Sequence, residues 1–289
     1  MDVQRISQHL QSLACERNFE TSPQSLLRAQ AYIEDCFTRL GFKVRKESFP
    51  YSGQSFSNLV ASSEKEGGKP RFIFGAHFDA VRGSCGADDN ASGVAALLET
   101  ARLFASFQRL KRVSLPCTVE FAAFNLEEYG MVGSRAYAQK LKRDGTPVAG
   151  MLSLEMVGFF SQEKGSQKMP RFLKPFYPDT GNFIALVGNT KSRVLLSRAK
   201  KIFQGVDGLL TETLTLPANG WVFPDARLSD HSPFWDEGFP AILVTDTSFF
   251  RNPYYHTEED CVETLDLQFL AKVTEAVAQT ACQLAESFE

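Results

Sequence analysis

Apolar and polar positions follow two periods along this chain, and the switches between them outline its elements. "RFIFGAH" (71–77) and "CTVEFAAFN" (117–125) are near-continuous apolar runs, the pattern of strands buried on both faces. Between them, "ASGVAALLETARLF" repeats apolar residues at helical spacing and predicts a helix from Asn90 to about Phe107. Upstream, "TSPQSLLRAQAYIEDCFTRLGF" predicts another, with Ser22 as N-cap, Pro23 at the first helical position and Gly41 as the stop. Further strands are expected at 43–50, 56–61, 148–155, 182–187 and 240–245, with helices over about 132–142 and from about Leu267. Strands alternating with helices imply an α/β fold, a central sheet covered by helices on both faces. The polar stretches "SSEKEGGKP" (62–70) and "SQEKGSQKMP" (161–170) read as loops within a single domain spanning 1–289. The second belongs to an insertion over about 158–181, rich in Phe and Pro.

Sheets of this class place their sites at the carboxyl ends of strands, and the polar residues that look out of place fall there. His77 and Asp79 close one strand, Glu127 and Glu128 another, and Glu155 a third. Asp230 and His231 close "ARLSDH", and His256 sits in "NPYYHTEED". The turn "GADDNASG" (86–93) sets Asp88 beside Asp89. Adjacent carboxylates repel, and burying one costs several kcal/mol unless positive charge offsets it. A helix N-terminus supplies only about 0.3–1 kcal/mol of that. The convergence suggests that the missing counter-charge is metal.

Imidazole nitrogen and carboxylate oxygen suit zinc. Two metals about 3.5–4 Å apart need a bridging carboxylate, a part Asp89 can play. His77 and Glu155 would complete one site, Glu128 and His256 the other. Glu127 is then left free beside the metals as a general base toward a water of lowered pKa. Asp79 is positioned to accept the other N–H of the His77 ring. Each residue also has a plainer reading: a satisfied core histidine, a helix-capping acid pair, a salt-bridged Glu155, a loop histidine at 256. Their order and spacing together carry the metal reading. His9, on the first helix, reads as a surface residue.

A net charge of −3 over 289 residues gives no reason to expect nucleic acid or an anionic membrane as partner. No apolar run approaches the roughly 20 residues that span a bilayer. The six cysteines are scattered without a CxxC, which suggests free thiols in a reducing cytoplasm. The opening "MDVQRISQHLQSLACERNFE" reads as an amphipathic helix and not as a signal peptide, so a cytoplasmic location is expected.

Six segments in order, "GAHFD", "GADDNASGVAALLE", "FAAFNLEEYGMVGS", "LSLEMVGFF", "SDHSPFWDEGFPAIL" and "YYHTEEDCVETLD", closely resemble the two-zinc aminopeptidase family. That family contains bacterial leucine aminopeptidases, glutamate carboxypeptidases and glutaminyl cyclases. The resemblance runs from about residue 58 to the end. It implies a single three-layer α/β/α domain with a mixed, mostly parallel sheet of about eight strands. It also implies two Zn2+ (other divalent ions being possible), held by His77, Asp89 and Glu155 and by Asp89, Glu128 and His256, with Glu127 as base. The family often carries Asp where this chain has Glu155. Asp88 is implied to shape the turn, and Asp230 and His231 to stand beside the ligands.

The implied substrate is a peptide or aminoacyl compound with a free N-terminus. Tyr254, Tyr255 and Phe249, with Phe250 and the insertion's Phe159, Phe160, Phe172, Phe176 and Tyr177, are candidates for lining its pocket, against ordinary core packing. A glutaminyl cyclase with one working zinc is the nearest alternative. A carboxypeptidase would need basic groups such as Arg251 or Arg135. A non-catalytic binding module would have lost metal ligands, and no ligand position is missing here.

Overall fold

In the computed structural model, which describes residues 1–63, 68–111 and 115–286, two helices open the chain, α1 (Val3–Leu13) and α2 (Pro23–Arg39). The order continues β1 (Lys43–Tyr51), β2 (Gln54–Ser62), β3 (Arg71–His77), α3 (Gly93–Lys111), β4 (Thr118–Phe124), α4 (Val132–Arg143) and β5 (Val148–Glu155). It closes with β6 (Phe183–Asn189), α5 (Arg193–Phe203), β7 (Leu210–Leu216), α6 (His231–Asp236), β8 (Ala241–Thr245) and α7 (Leu267–Glu286).

The strands form one mixed sheet in the order β1-β2-β4-β3-β5-β8-β6-β7. The central strands β4, β3, β5 and β8 are parallel, β2 joins β4 antiparallel, and β6 turns back antiparallel to β8 with β7 parallel to β6. One edge of the sheet therefore gathers the C-terminal ends of β3, β4, β5 and β8 and the N-terminal ends of β6 and β7.

The apolar strands are buried on both faces. Phe72 and Phe74 of β3 join a core with α1, α2, α3, α5 and α7, and Ile73 joins a smaller one with α4 and α6. This is a single α/β/α domain. The strands expected from the sequence lie within a residue or two of those observed, and α7 starts at Leu267 as expected. The helix expected from Asn90 begins at Gly93, because Ala87–Ser92 form a wider turn. The expectations left out α5, α6 and β7. β7 runs along the sheet edge, and its "LTETLTL" interleaves Thr and Glu with Leu, with no long apolar run. Residues 64–67 of the loop at 62–70 lie outside the described residues. Among the described residues no helix is long and apolar enough to cross a membrane.

His9 departs from its expected surface position: it is buried, and its Nδ1 lies 2.8 Å from the Tyr32 hydroxyl. Beside it Glu99, buried on α3, accepts from Arg5 Nε at 3.1 Å and pairs with Arg102 Nη2 at 2.8 Å. This cluster fastens α1, and the segment that follows it, to the helix leading out of the Asp turn. Burial opposes ionisation of Glu99, but hydrogen bonds from His9 and Arg102 hold its carboxyl down, from 4.5 to about 2. Because the folded pKa is depressed, its contribution is present above about pH 4.5 and is lost as pH falls toward 2. Glu99→Ala is expected to destabilise the protein by about 2 kcal/mol at pH 7 in urea unfolding. The gap from the wild type should narrow as the pH is lowered through that window.

Candidate metal centre and its cavity

Two buried carboxylates hold the backbone of the two acidic pairs. Asp79 accepts the N–H of Glu127 at 3.0 Å and of Glu128 at 3.1 Å, one on each oxygen. Asp260 does the same for Asp88 at 2.9 Å and Asp89 at 3.1 Å. Asn90 joins the Asp turn to the end of β5: its Nδ2 donates to Leu154 O at 2.8 Å, and its Oδ1 accepts from Gly93 and Met156, both at 3.1 Å. A side chain at Gly93 would run into Asn90 Oδ1 and the Leu154 carbonyl, so only glycine lets α3 start against that strand end. Non-glycine residues with left-handed backbone flank the site, namely Leu126 before Glu127, Met156 after Glu155, and His256 itself. Such conformations cost of order 1–3 kcal/mol and collect at functional sites.

Arg17, fully buried, grips the same turn from the N-terminal segment. Its Nε donates to Phe78 O at 2.8 Å, its Nη1 to the carbonyls of Leu13, Cys15 and Cys85, and its Nη2 to Gly86 O at 2.8 Å. Burial lowers its pKa, and the negative charges of Asp79, Asp89 and Asp260 oppose that. The guanidinium thus brings positive charge to the acidic cluster while its hydrogen bonds go to backbone.

On this frame the side chains form two triads that share Asp89: His77, Asp89 and Glu155, and Asp89, Glu128 and His256. His77 Nε2 lies 3.2 Å from Asp89 Oδ1 and 3.3 Å from Glu155 Oε1. His256 Nε2 lies 3.1 Å from Asp89 Oδ2 and 3.3 Å from Glu128 Oε2. Glu127 belongs to neither triad, with Oε2 4.0 Å from His77 Nε2. Ser229 donates to Glu155 Oε2 at 2.7 Å, and His77 Nδ1 lies 3.2 Å from Asp79 O and 3.5 Å from Asp79 Oδ1.

The protonation balance follows from this crowding. Burial pushes Glu127 well above the usual carboxylate range, a rise the His77 charge opposes and Glu155 and Asp230 reinforce. Burial and Asp89 push Glu128 up to about 8. Burial works against the charged imidazoles, but Glu155 and Glu127 hold His77 well above 6.5, and hydrogen bonds to Asp89 and Glu128 push His256 up to about 10. The site holds more buried carboxylates than imidazoles, and among the described residues Glu128 Oε1 is buried with no hydrogen-bond partner. Two imidazole-and-carboxylate triads, each with donor atoms within 4.8 Å of one another, are a donor set that fits divalent cations of the zinc type.

The centre opens onto a cavity that is continuous with solvent and reaches from Asp89, Glu127, Glu128 and Glu155 across the face of β8, β6 and β7. The insertion roofs it. Tyr177 donates to Thr213 O of β7 at 2.8 Å, and buried Gln167 donates to Thr247 Oγ1 at 2.8 Å and accepts from Arg251 Nε at 2.9 Å.

Residues 58–281 match peptidase family M28. This chain belongs to that family. The M28 chain is 34% identical over 88% of its length to the uncharacterized protein YfbL of Escherichia coli, of which it covers 79%. It is 27% identical over 89% of its length to a probable leucine aminopeptidase of Arthroderma otae, and spans 64% of that fungal relative. In fold it is similar to the Legionella pneumophila LapA aminopeptidase, with a TM-score of 0.78 at 20% identity, covering 100% of this chain and 73% of that one. It is also similar to the Fimbriiglobus ruber glutaminyl cyclase, with a TM-score of 0.71 at 19% identity, covering 97% and 95%.

Among the remaining residues singled out in the sequence, Asp88 belongs to neither triad and accepts from Gly158 N and Asn252 Nδ2, both at 2.9 Å. Asp230 is buried near the centre, and burial pushes its carboxyl up to about 7 against the charge of His77. His231 lies within α6, its ring edge-on to Trp235, and burial lowers its pKa to about 3, so it is neutral. Tyr255 and Phe249 line the cavity, and Tyr255 stacks on His256 with centroids 3.7 Å apart.

Tyr254 lies outside the lining, its ring edge-on to Phe159 at 6.1 Å. Phe160 packs on Phe269, while Phe172 and Phe176 are exposed. Arg251 is buried over the Phe183 ring at 4.6 Å, and Arg135 reaches Asp236 at 3.7 Å, so neither stands ready to hold a substrate carboxylate. The sequence reading missed Arg17, Asp260 and Asn90. Asp260 alone left a signal, as one more acid four residues after His256.

Two outcomes are expected. Zinc added to metal-depleted protein at pH 7 should release protons, because His77 and His256 are held protonated and must be neutral to bind a cation, so affinity should rise with pH. Calorimetry in buffers of different ionisation enthalpy measures that release. Arg17→Met should weaken zinc binding by about tenfold or more in chelator competition, with Arg17→Lys recovering part of the loss.

Proposed function

We propose that this M28 chain is a two-zinc aminopeptidase. The carrying observation is the position of Glu127, which stands beside both triads without joining either and faces an apolar cavity. The fungal relative's name, probable leucine aminopeptidase, supports the same reading. In it His77, Asp89 and Glu155 would hold one cation, and Asp89, Glu128 and His256 the other. Bound there, the cations supply Lewis acidity that polarises the scissile carbonyl and eases ionisation of the attacking water.

The chain's own groups do the rest. Glu127, raised by its burial, takes a proton from the water that attacks the carbonyl and returns it to the amide nitrogen as the C–N bond breaks. Asp79 holds the Glu127 and Glu128 backbone and faces the His77 ring, which fixes the base relative to the ligands. The substrate's free α-amine finds its counter-charge among the carboxylates at the cavity mouth, and its side chain enters the apolar space beyond.

With aminoacyl anilides, Glu127→Gln is expected to lower kcat by roughly 10²–10⁴ while metal content, read by elemental analysis, stays at the wild-type level. A variant that keeps more than about a tenth of the activity would remove Glu127 from the reaction. A wild type that only closes N-terminal glutamine into a ring, leaving every anilide intact, would favour a glutaminyl cyclase.

A further inference from the structure

One acidic side chain in the cavity is unaccounted for by the metal centre. Strand register puts Glu212 at the end of a row crossing four strands: Glu155 on β5 pairs with Thr245 on β8, Thr245 with Ala185 on β6, and Ala185 with Glu212 on β7. All four line the cavity. Two residues along each strand, Leu243, Val187 and Leu214 make the adjoining row and pack into the smaller apolar core, so the two rows share one face of the sheet. A metal-ligating carboxylate therefore begins the row and a second carboxylate ends it. Three strand spacings, about 14 Å between Cα positions, separate them, with only Thr245 and Ala185 as the floor.

Glu212 has the surroundings of an acid waiting for a cation. It is partly buried, and burial raises its pKa, with only the charge of Lys200 acting the other way. Among the described residues no ion pair or hydrogen bond occupies its carboxylate. The other charged residues of the lining away from the centre, Lys168 and Asp225, are exposed. The Tyr177 ring, tied to the neighbouring Thr213 carbonyl, closes the cavity over β7.

We propose that Glu212 makes this cavity selective for substrates whose N-terminal residue is lysine or arginine. The α-amine and scissile bond would lie at the metal end of the row. The methylene stem would cross Thr245 and Ala185 alongside Val187 and Leu214, and the terminal cation would meet Glu212. A leucine side chain stops short along that path and leaves the carboxylate partly dried and unpaired. The proposal rests on the aminopeptidase reading.

The test compares lysyl and norleucyl 7-amido-4-methylcoumarin, two substrates with the same carbon chain, with and without the terminal amine. The zinc-loaded wild type is expected to favour lysine in kcat/KM by about tenfold or more, mostly through KM, the size of one charge-assisted hydrogen bond. In Glu212→Gln that ratio should fall to near one. Equal use of both substrates by the wild type, or a lysine preference that survives Glu212→Gln, overturns the assignment and leaves aminopeptidase activity standing. Failure of the wild type to hydrolyse either compound overturns both readings.

Discussion

Carboxylates crowded into the dry end of a sheet are unfavourable twice over, through lost hydration and through mutual repulsion. Much of what is unusual in this chain answers that constraint. Asp79 and Asp260 are each held by two backbone amides, so neither needs a cation of its own. Asp88 is satisfied by Gly158 and Asn252, while Ser229 reaches one oxygen of Glu155 and leaves the other to His77. What the backbone and amide groups leave over is concentrated on Asp89, Glu128 and Glu155 and shared with two imidazoles. Among the described residues, Glu128 Oε1 and both Asp230 oxygens are buried without a hydrogen-bond partner, which leaves unmet acidity at this end of the sheet.

Arg17 extends that logic into the N-terminal segment, outside the residues matched to the family. A guanidinium deep in a protein is costly unless its donors are used, and five carbonyls from three stretches of chain use them. Because three of those carbonyls lie just after β3 and just before the Asp pair, and two at the end of α1, the packing of α1 and the shape of the Asp turn are one structural problem. Glu99 ties α1 to α3 from the other side, so both flanks of the turn are braced by buried charge.

The sheet and the candidate ligands were legible for different reasons. Strands buried on both faces write themselves as apolar runs, as β3 and β4 do, and a charged residue that ends such a run stands out, as His77, Glu127 and Glu155 do. β7 was not legible, because an edge strand with one partly wetted face mixes Thr and Glu with Leu. Arg17 and Asn90 were not legible because each acts on backbone groups distant in sequence, and no side-chain pattern records which carbonyl an arginine will find. The aromatic residues show a further limit. Tyr254 and Tyr255 are neighbours in sequence, yet one packs on Phe159 and the other lines the cavity, a choice set by a backbone turn.

The reversal of β6 has a consequence for how such a protein can change. The residues of the two triads and Glu127 lie at the ends of β3, β4 and β5, on the turn before α3 and, for His256, on the loop after β8. The cavity is walled by the beginnings of β6 and β7 and roofed by the insertion that leads into β6. On the proposed reading, much of the cavity wall is therefore carried by β6, β7 and the insertion, apart from most of the triad residues, while the loop after β8 serves both. A lineage could lengthen the roof or exchange one residue on the edge strand and feed on different peptides, with the chemistry inherited untouched.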